Sequence, residues 1–208
     1  MYKIILIVIF SVFYTNNLNY ELLDILYNDE DWILDETLAD KSSIYTKNIN
    51  DINLKAIRIS RDIKIDPVNV LNVIKNVKNY NTVLINSTNV LTTPIPSKNN
   101  IVAKQYISIP IFTDLYFIFK IHELSNKIYW VLENPKDYIK QKESAHPLSI
   151  GCGGWDYKKN IDGTYKINYT LIFDIDGYPN WVVNYINYYS LINVYNDVIN
   201  AASKKNFK

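Results

Sequence analysis

Apolar positions recur along this chain at two spacings. From Tyr165 to Ile175 the period is two: Tyr165, Ile167, Tyr169, Leu171, Phe173 and Ile175 share one face, and Lys166, Asn168, Thr170 and Asp174 share the other. That alternation is the pattern of a strand with one face buried. The same period runs through residues 43–49 and 54–65, where Ile57, Ile59, Ile63 and Ile65 line one face and Arg61 falls among them. Further strands are expected at 83–91, 101–109, 115–123, 127–133 and 148–157. Asn160-Ile161-Asp162-Gly163 reads as a hairpin turn, because Asp-Gly tolerates positive φ.

The second spacing is helical. A short helix fits residues 19–28, with Leu22, Leu23, Ile25 and Leu26 apolar. Asp66-Pro67 starts another: Asp caps unpaired backbone N–H groups, and Pro suits the first helical position. Val70, Leu71, Ile74 and Val77 follow on one face. A long closing helix then carries Trp181, Tyr185, Tyr188, Ile192, Tyr195, Ile199 and Ala202 as one stripe. The order is strands, a short helix, a run of antiparallel strands, and one long helix. An antiparallel sheet with one apolar face needs a cover, and the last helix is expected to supply it.

Composition narrows the function classes. The 208 residues suit a single domain, and a net charge of +1 lacks the concentrated basic face that nucleic acid requires. Arg58 and Arg61 are the two arginines, so planar forks for phosphate or carboxylate are scarce. The single cysteine, Cys152, excludes an intramolecular disulfide and a zinc cluster; among Gly151, Gly153 and Gly154 it reads as a small buried residue. Eighteen tyrosines stand out, each a large apolar ring whose hydroxyl needs a partner. At the N-terminus Lys3 precedes an apolar run from Ile4 to Tyr14, followed by Asn16-Asn17. The run is short for a membrane span and fits the core of a secretory signal. Residues 1–16 are therefore expected to be a signal peptide or an uncleaved N-terminal anchor, and the protein to be exported, periplasmic or secreted.

Five stretches carry a family pattern. DWILDETLADKSSIYTKNI holds a Trp-containing strand and the strand after it. IDPVNVLNVIKNVKNY is a Pro-started helix, IFTDLYFIF has an Asp-aromatic step, and GGWDY is a late Gly-Trp strand. The most specific is GTYKINYTLIFDIDGYPNWVVNYINYYSLINVYNDV, a strand leading through a Gly-Pro turn into a covering helix. In this order, over residues 19–205, they resemble the START (StAR-related lipid-transfer) domain of the helix-grip superfamily. The resemblance implies an α+β helix-grip fold: a curled antiparallel sheet around the C-terminal helix, with an internal hydrophobic cavity for one lipid. Its implied walls are Phe117, Phe119, Trp155, Tyr169, Leu171 and Phe173 from the strands, and Tyr185, Tyr188 and Ile192 from the helix. Lid movement around Gly177 and Pro179 is the implied gate. The segment Leu115-Tyr116-Phe117-Ile118-Phe119 lacks the Arg that sterol carriers place there, so phospholipid, fatty acid and sterol-like ligands all stay open. The implied protein is a monomeric, cofactor-free carrier that meets a membrane surface transiently. The alternative is a helix-grip enzyme, cyclase-like or hydrolase-like, acting on an apolar substrate in the same cavity.

Charged and titratable residues add little to this. Arg61 and Glu123 each fall in the apolar series of their strand; they can pair, bind a polar headgroup in the cavity, or reach water at strand ends. His122 reads as a surface residue and His146 as a loop residue, and neither has a metal-ligand partner at helical spacing. The DIDG of residues 174–177 lacks the later acidic positions of a calcium loop and reads as a strand-ending turn. Asn86-Ser87-Thr88 and Asn168-Tyr169-Thr170 are glycosylation sequons, expected by chance in an Asn-rich chain.

Overall fold

The period-two segments pair into one ten-stranded sheet. The computed structural model describes residues 18–49, 54–86, 90–108, 114–138, 145–148 and 150–204, so the N-terminal run expected to be a signal or anchor lies outside the described residues. The strands are β1 (Ile33–Thr37), β2 (Ser43–Ile49), β3 (Leu54–Ile63), β4 (Val90–Ile95), β5 (Ile101–Ile107), β6 (Leu115–Leu124), β7 (Lys127–Glu133), β8 (His146–Pro147), β9 (Gly151–Lys159) and β10 (Tyr165–Phe173). The helices are α1 (18–27), α2 (Pro67–Lys75), α3 (Tyr80–Val83) and α4 (Asn180–Ser203). The order across the sheet is β1-β2-β3-β10-β9-β7-β6-β5-β4, antiparallel except for β8, which runs parallel to β6. The sheet does not close on itself. Its edges are β4 and the exposed β1, which is bulged between Leu34 and Glu36.

Both faces of the sheet centre are covered, which explains why Gly151 to Trp155 of β9 and Tyr169 to Phe173 of β10 are buried without a break. Successive strand residues point to opposite sides. Ile167, Tyr169, Leu171 and Phe173 of β10 face inward beneath α4. Thr170 and Ile172, on the other side, are just as buried because α1 lies there. The Gly153-Gly154 pair serves one aromatic on each face. A Cβ on Gly153 would sit 2.8 Å from the Trp130 ring, and one on Gly154 would land on the Tyr27 hydroxyl. Cys152 beside them is fully buried, and burial pushes its thiol well above the usual range, so it packs as a small apolar residue.

Two cations fasten α1 to this outer face. A helix leaves its last carbonyls unpaired, and Lys47 Nζ donates to three carbonyls at and beyond the end of α1: Ile25 (3.0 Å), Asn28 (3.2 Å) and Glu30 (2.9 Å). Arg58 donates to the Leu26 carbonyl at 2.9 Å, to Thr170 Oγ1 at 3.1 Å and to Asp29 at 3.1 Å, with its guanidinium 4.3 Å from the centre of the Trp32 ring. At the other end of α1, Asn19 donates to the Leu132 carbonyl (3.0 Å) and accepts from the Gly151 amide (2.9 Å).

Several expectations hold closely and two do not. Asp66 caps α2 through the Val68 amide with Pro67 next to it, and Gly163 takes φ +83° in the β9–β10 hairpin. The strand expected at 83–91 is not one. Residues 80–83 form α3, and Asn81 bonds the backbone of Thr92 on both its N–H (2.6 Å) and C=O (3.0 Å), so the chain turns there and β4 starts at Val90. Val83 and Leu84 are buried beneath α4 rather than paired in a ladder. The second correction is the rotation of α4. Trp181 and Tyr185, expected inward, are 73% and 60% exposed, and the buried face of the first half runs through Val183, Ile186, Asn187 and Leu191 instead, whereas Tyr195, Ile199 and Ala202 are buried as expected. The cause is Asn187: it donates to the Phe173 carbonyl (2.9 Å) and accepts from the Phe173 amide (3.3 Å), which sets the helix face against the end of β10.

Candidate functional site

Between the inner sheet face and α4 lies a pocket of about 360 Å³. The sheet supplies Phe117 and Phe119 from β6, Trp130 from β7, Trp155 from β9, and Tyr169, Leu171 and Phe173 from β10. The α4 wall repeats every three to four residues: Ile186, Ser190, Asn193, Val194 and Val198, with Tyr185 and Tyr189 at the rim. Ile74, Tyr80, Leu84 and Val90 close one side, and Gln105, Ile107 and Ser108 continue the wall along β5. Tyr185 and Tyr189 both line the pocket and face solvent, so it opens at the surface beside the first turns of α4.

The interior is aromatic and ordered by stacking. Trp155 stacks on Tyr169, its cross-strand partner, at 4.4 Å between ring centres, and on Tyr195 of α4 at 5.4 Å. Tyr195 donates to the Ile167 carbonyl at 3.3 Å. Tyr80 stacks on Phe119 at 6.3 Å and donates to the Ile74 carbonyl at 2.5 Å. Burial drives the Tyr80 and Tyr169 phenols far above their ordinary pKa, against only a partial opposing hydrogen bond from Trp130 to Tyr169. Both phenols are therefore neutral hydrogen-bonding groups at physiological pH. Behind the α4 wall, Asp197 is 3% exposed and accepts from the Asn86 backbone N–H (3.0 Å) and side-chain amide (2.5 Å).

This arrangement has counterparts of known structure. A STAR-related lipid transfer protein from Xanthomonas axonopodis superposes with a TM-score of 0.68 at 12% identity, covering 84% of this chain and all of that one. Human STARD10 matches with a TM-score of 0.68 at 14% identity, over 90% of this chain and 79% of its own. Human StAR-related lipid transfer protein 5 matches at 0.62 and 12% identity, over 91% and 95%. The chain has the START helix-grip fold. No protein-family model and no curated protein sequence matches it.

Within the START frame, seven of the sequence-expected wall residues meet at the pocket: Phe117, Phe119, Trp155, Tyr169, Leu171, Phe173 and Tyr185. Four do not. Arg61 pairs with Asp40 at 2.9 Å and Glu123 with Lys75 at 3.0 Å, both at partly exposed strand ends. Tyr188 and Ile192 pack half-buried against the core, one helical position away from the pocket wall, because Asn187 sets the rotation of α4. The residues not anticipated are Tyr80, Trp130, Gln105 and the α4 series from Ile186 to Val198. Gln105 had a signal: it interrupts the apolar alternation of Ile101, Ala103 and Ile107, and it pairs in register with Phe117. His122 is half-buried rather than a surface residue, stacked on Tyr129 at 4.9 Å. Among the described residues no three His, Cys, Asp or Glu side chains cluster as a metal site, and no helix is long and apolar enough to cross a membrane.

Proposed function

We propose that the protein binds and carries a hydrophobic ligand of lipid type in the pocket under α4. The observation that carries this is the aromatic-walled pocket itself, set where the sheet and the covering helix part. Two of the solved structures it resembles are named as lipid transfer proteins, which supports the same reading. Binding is by desolvation: burying ~12 methylenes at ~0.8 kcal/mol each gives ~10 kcal/mol gross, reduced by ordering and association costs. An enzymatic role in the same pocket would need an acid or base poised near the working pH. Among the described lining residues there is no carboxylate, imidazole, amine or thiol, which favours carriage. The test is saturable binding of the uncharged fluorophore N-phenyl-1-naphthylamine to the purified full chain. Val194→Trp, which fills the pocket from a half-buried wall position, should abolish the signal while leaving the thermal midpoint near that of the parent. A parent that does not bind, or a variant that binds equally, would refute the reading.

Contact with a membrane surface belongs to the same proposal. Trp181, Tyr185 and Tyr189 are exposed together beside the pocket mouth. Such amphipathic rings settle at the headgroup level of a bilayer. Export is proposed from the apolar N-terminal run. The intact mass of the protein secreted by its host should lack roughly the first 15–20 residues, within the usual signal length, and recovery of the full chain from the cytosol would refute export.

A further inference from the structure

An ionised headgroup taken into a dry pocket must be met by an opposite charge or several strong donors. Among the described lining residues of the pocket no side chain carries such a counter-charge. Its polar groups among the described lining residues are the amides of Gln105 and Asn193, the hydroxyls of Ser108, Ser190 and the tyrosines, and the Trp130 indole. Two carboxylates adjoin the wall. Asp114 accepts from the lining residue Ser108 at 2.7 Å. Asp197, buried and held by Asn86, lies in α4 between the lining residues Val194 and Val198. An anion in the pocket would find scattered neutral donors but no cation among the described lining residues.

Size adds a second limit. At about 360 Å³ the pocket lies near the lower end of the ~300–1,000 Å³ range of small-molecule sites. That suits one medium-length chain or a small ring system, and falls far short of a two-chain phospholipid.

Resting on the carrier reading above, we infer that the pocket selects an uncharged single-chain or small-ring alcohol, ketone or ester. Fatty-acid anions and two-chain phospholipids are rejected. The neutral hydroxyls and amides of the wall take the ligand's single oxygen, and the aromatic rings take its carbon body.

The experiment is displacement of N-phenyl-1-naphthylamine from the full chain at pH 8 by dodecan-1-ol, methyl dodecanoate and dodecanoate, each below its micellar concentration. The alcohol and the ester should displace the fluorophore at concentrations at least tenfold lower than the anion. Vesicles of dioleoylphosphatidylcholine should displace none of it. Ser190→Lys, which puts an ammonium on the wall at a partly exposed position, should swing the preference at least tenfold toward dodecanoate. Dodecanoate binding as well as the alcohol, displacement by the phospholipid, or an unchanged preference in Ser190→Lys overturns the inference and leaves the carrier reading standing. Failure of the fluorophore itself to bind overturns both.

Discussion

Asn187→Ala isolates the bond pair that holds α4 against the sheet. Asn187 is fully buried and uses its amide to satisfy both the N–H and the C=O of Phe173. Alanine leaves those two groups buried without partners, and each such loss costs ~1–3 kcal/mol. The better helix propensity of Ala returns up to ~0.7 kcal/mol, so the net destabilisation is ~1–6 kcal/mol. At 208 residues the chain is in the size range where 1 kcal/mol moves the midpoint by ~2–4 °C, so thermal unfolding should start about 3–24 °C lower. Asn187→Asp keeps the volume and the acceptor but faces a carboxylate to the Phe173 carbonyl, and should lose at least as much. Asn200→Ala, on the exposed side of the same helix, is the control and should stay within ~0.5 kcal/mol. The assay is thermal and urea unfolding followed by circular dichroism. An Asn187→Ala midpoint within about 2 °C of the parent, or an equal fall in Asn200→Ala, would refute this account of how α4 is oriented.

Gly154→Ala should lose ~1–3 kcal/mol by overpacking, because the new Cβ lands on the Tyr27 hydroxyl and within 2.7 Å of the Ile128 carbonyl; Tyr27→Phe in the same chain should recover part of that in urea unfolding. Burial, then Lys120, lowers the His122 pKa, so as pH falls through the ordinary His range near ~6.5 the unfolded chain takes up the proton first and stability drops. His122→Gln should flatten that decline between pH 7.5 and 5.5 when urea midpoints are compared with the parent. Because Cys152 is buried, a label on Trp181→Cys reports one site; an NBD dye there should brighten and blue-shift with neutral vesicles. The same dye on Ile161→Cys, in the hairpin at the far end of the sheet, should not, and equal responses would argue against the proposed membrane-facing end.

The parts legible in the sequence were those where a local rule matched the tertiary demand. β10 alternates cleanly because only its inner face is uniformly apolar, and Tyr169, Leu171 and Phe173 of that face line the pocket. The start of α2 was readable because Asp66 and Pro67 act within one turn. The rotation of α4 was not, because its first half is apolar on two adjacent stripes, and a polar residue between them, Asn187, decides which stripe is buried by bonding to a strand. Val83 and Leu84 resembled a strand because a short apolar run carries no period of its own. The partners of Arg61 and Glu123 lie 21 and 48 residues away, at Asp40 and Lys75, beyond the reach of any spacing argument.

The bonds of Asn19 join the two faces of the sheet. They tie the first turn of α1 to the Leu132 carbonyl and the Gly151 amide. Gly151 pairs with Phe173, which lines the pocket, so the first turn of α1 is fastened, from the opposite face, to the end of the sheet that builds the pocket wall. One buried amide thereby couples a helix packed outside the sheet to the strand ends inside it. A shift of α1 away from those strand ends breaks these two bonds of Asn19 at once, at ~1–3 kcal/mol for each buried group left unpaired, so the outer helix and the pocket wall move as one body.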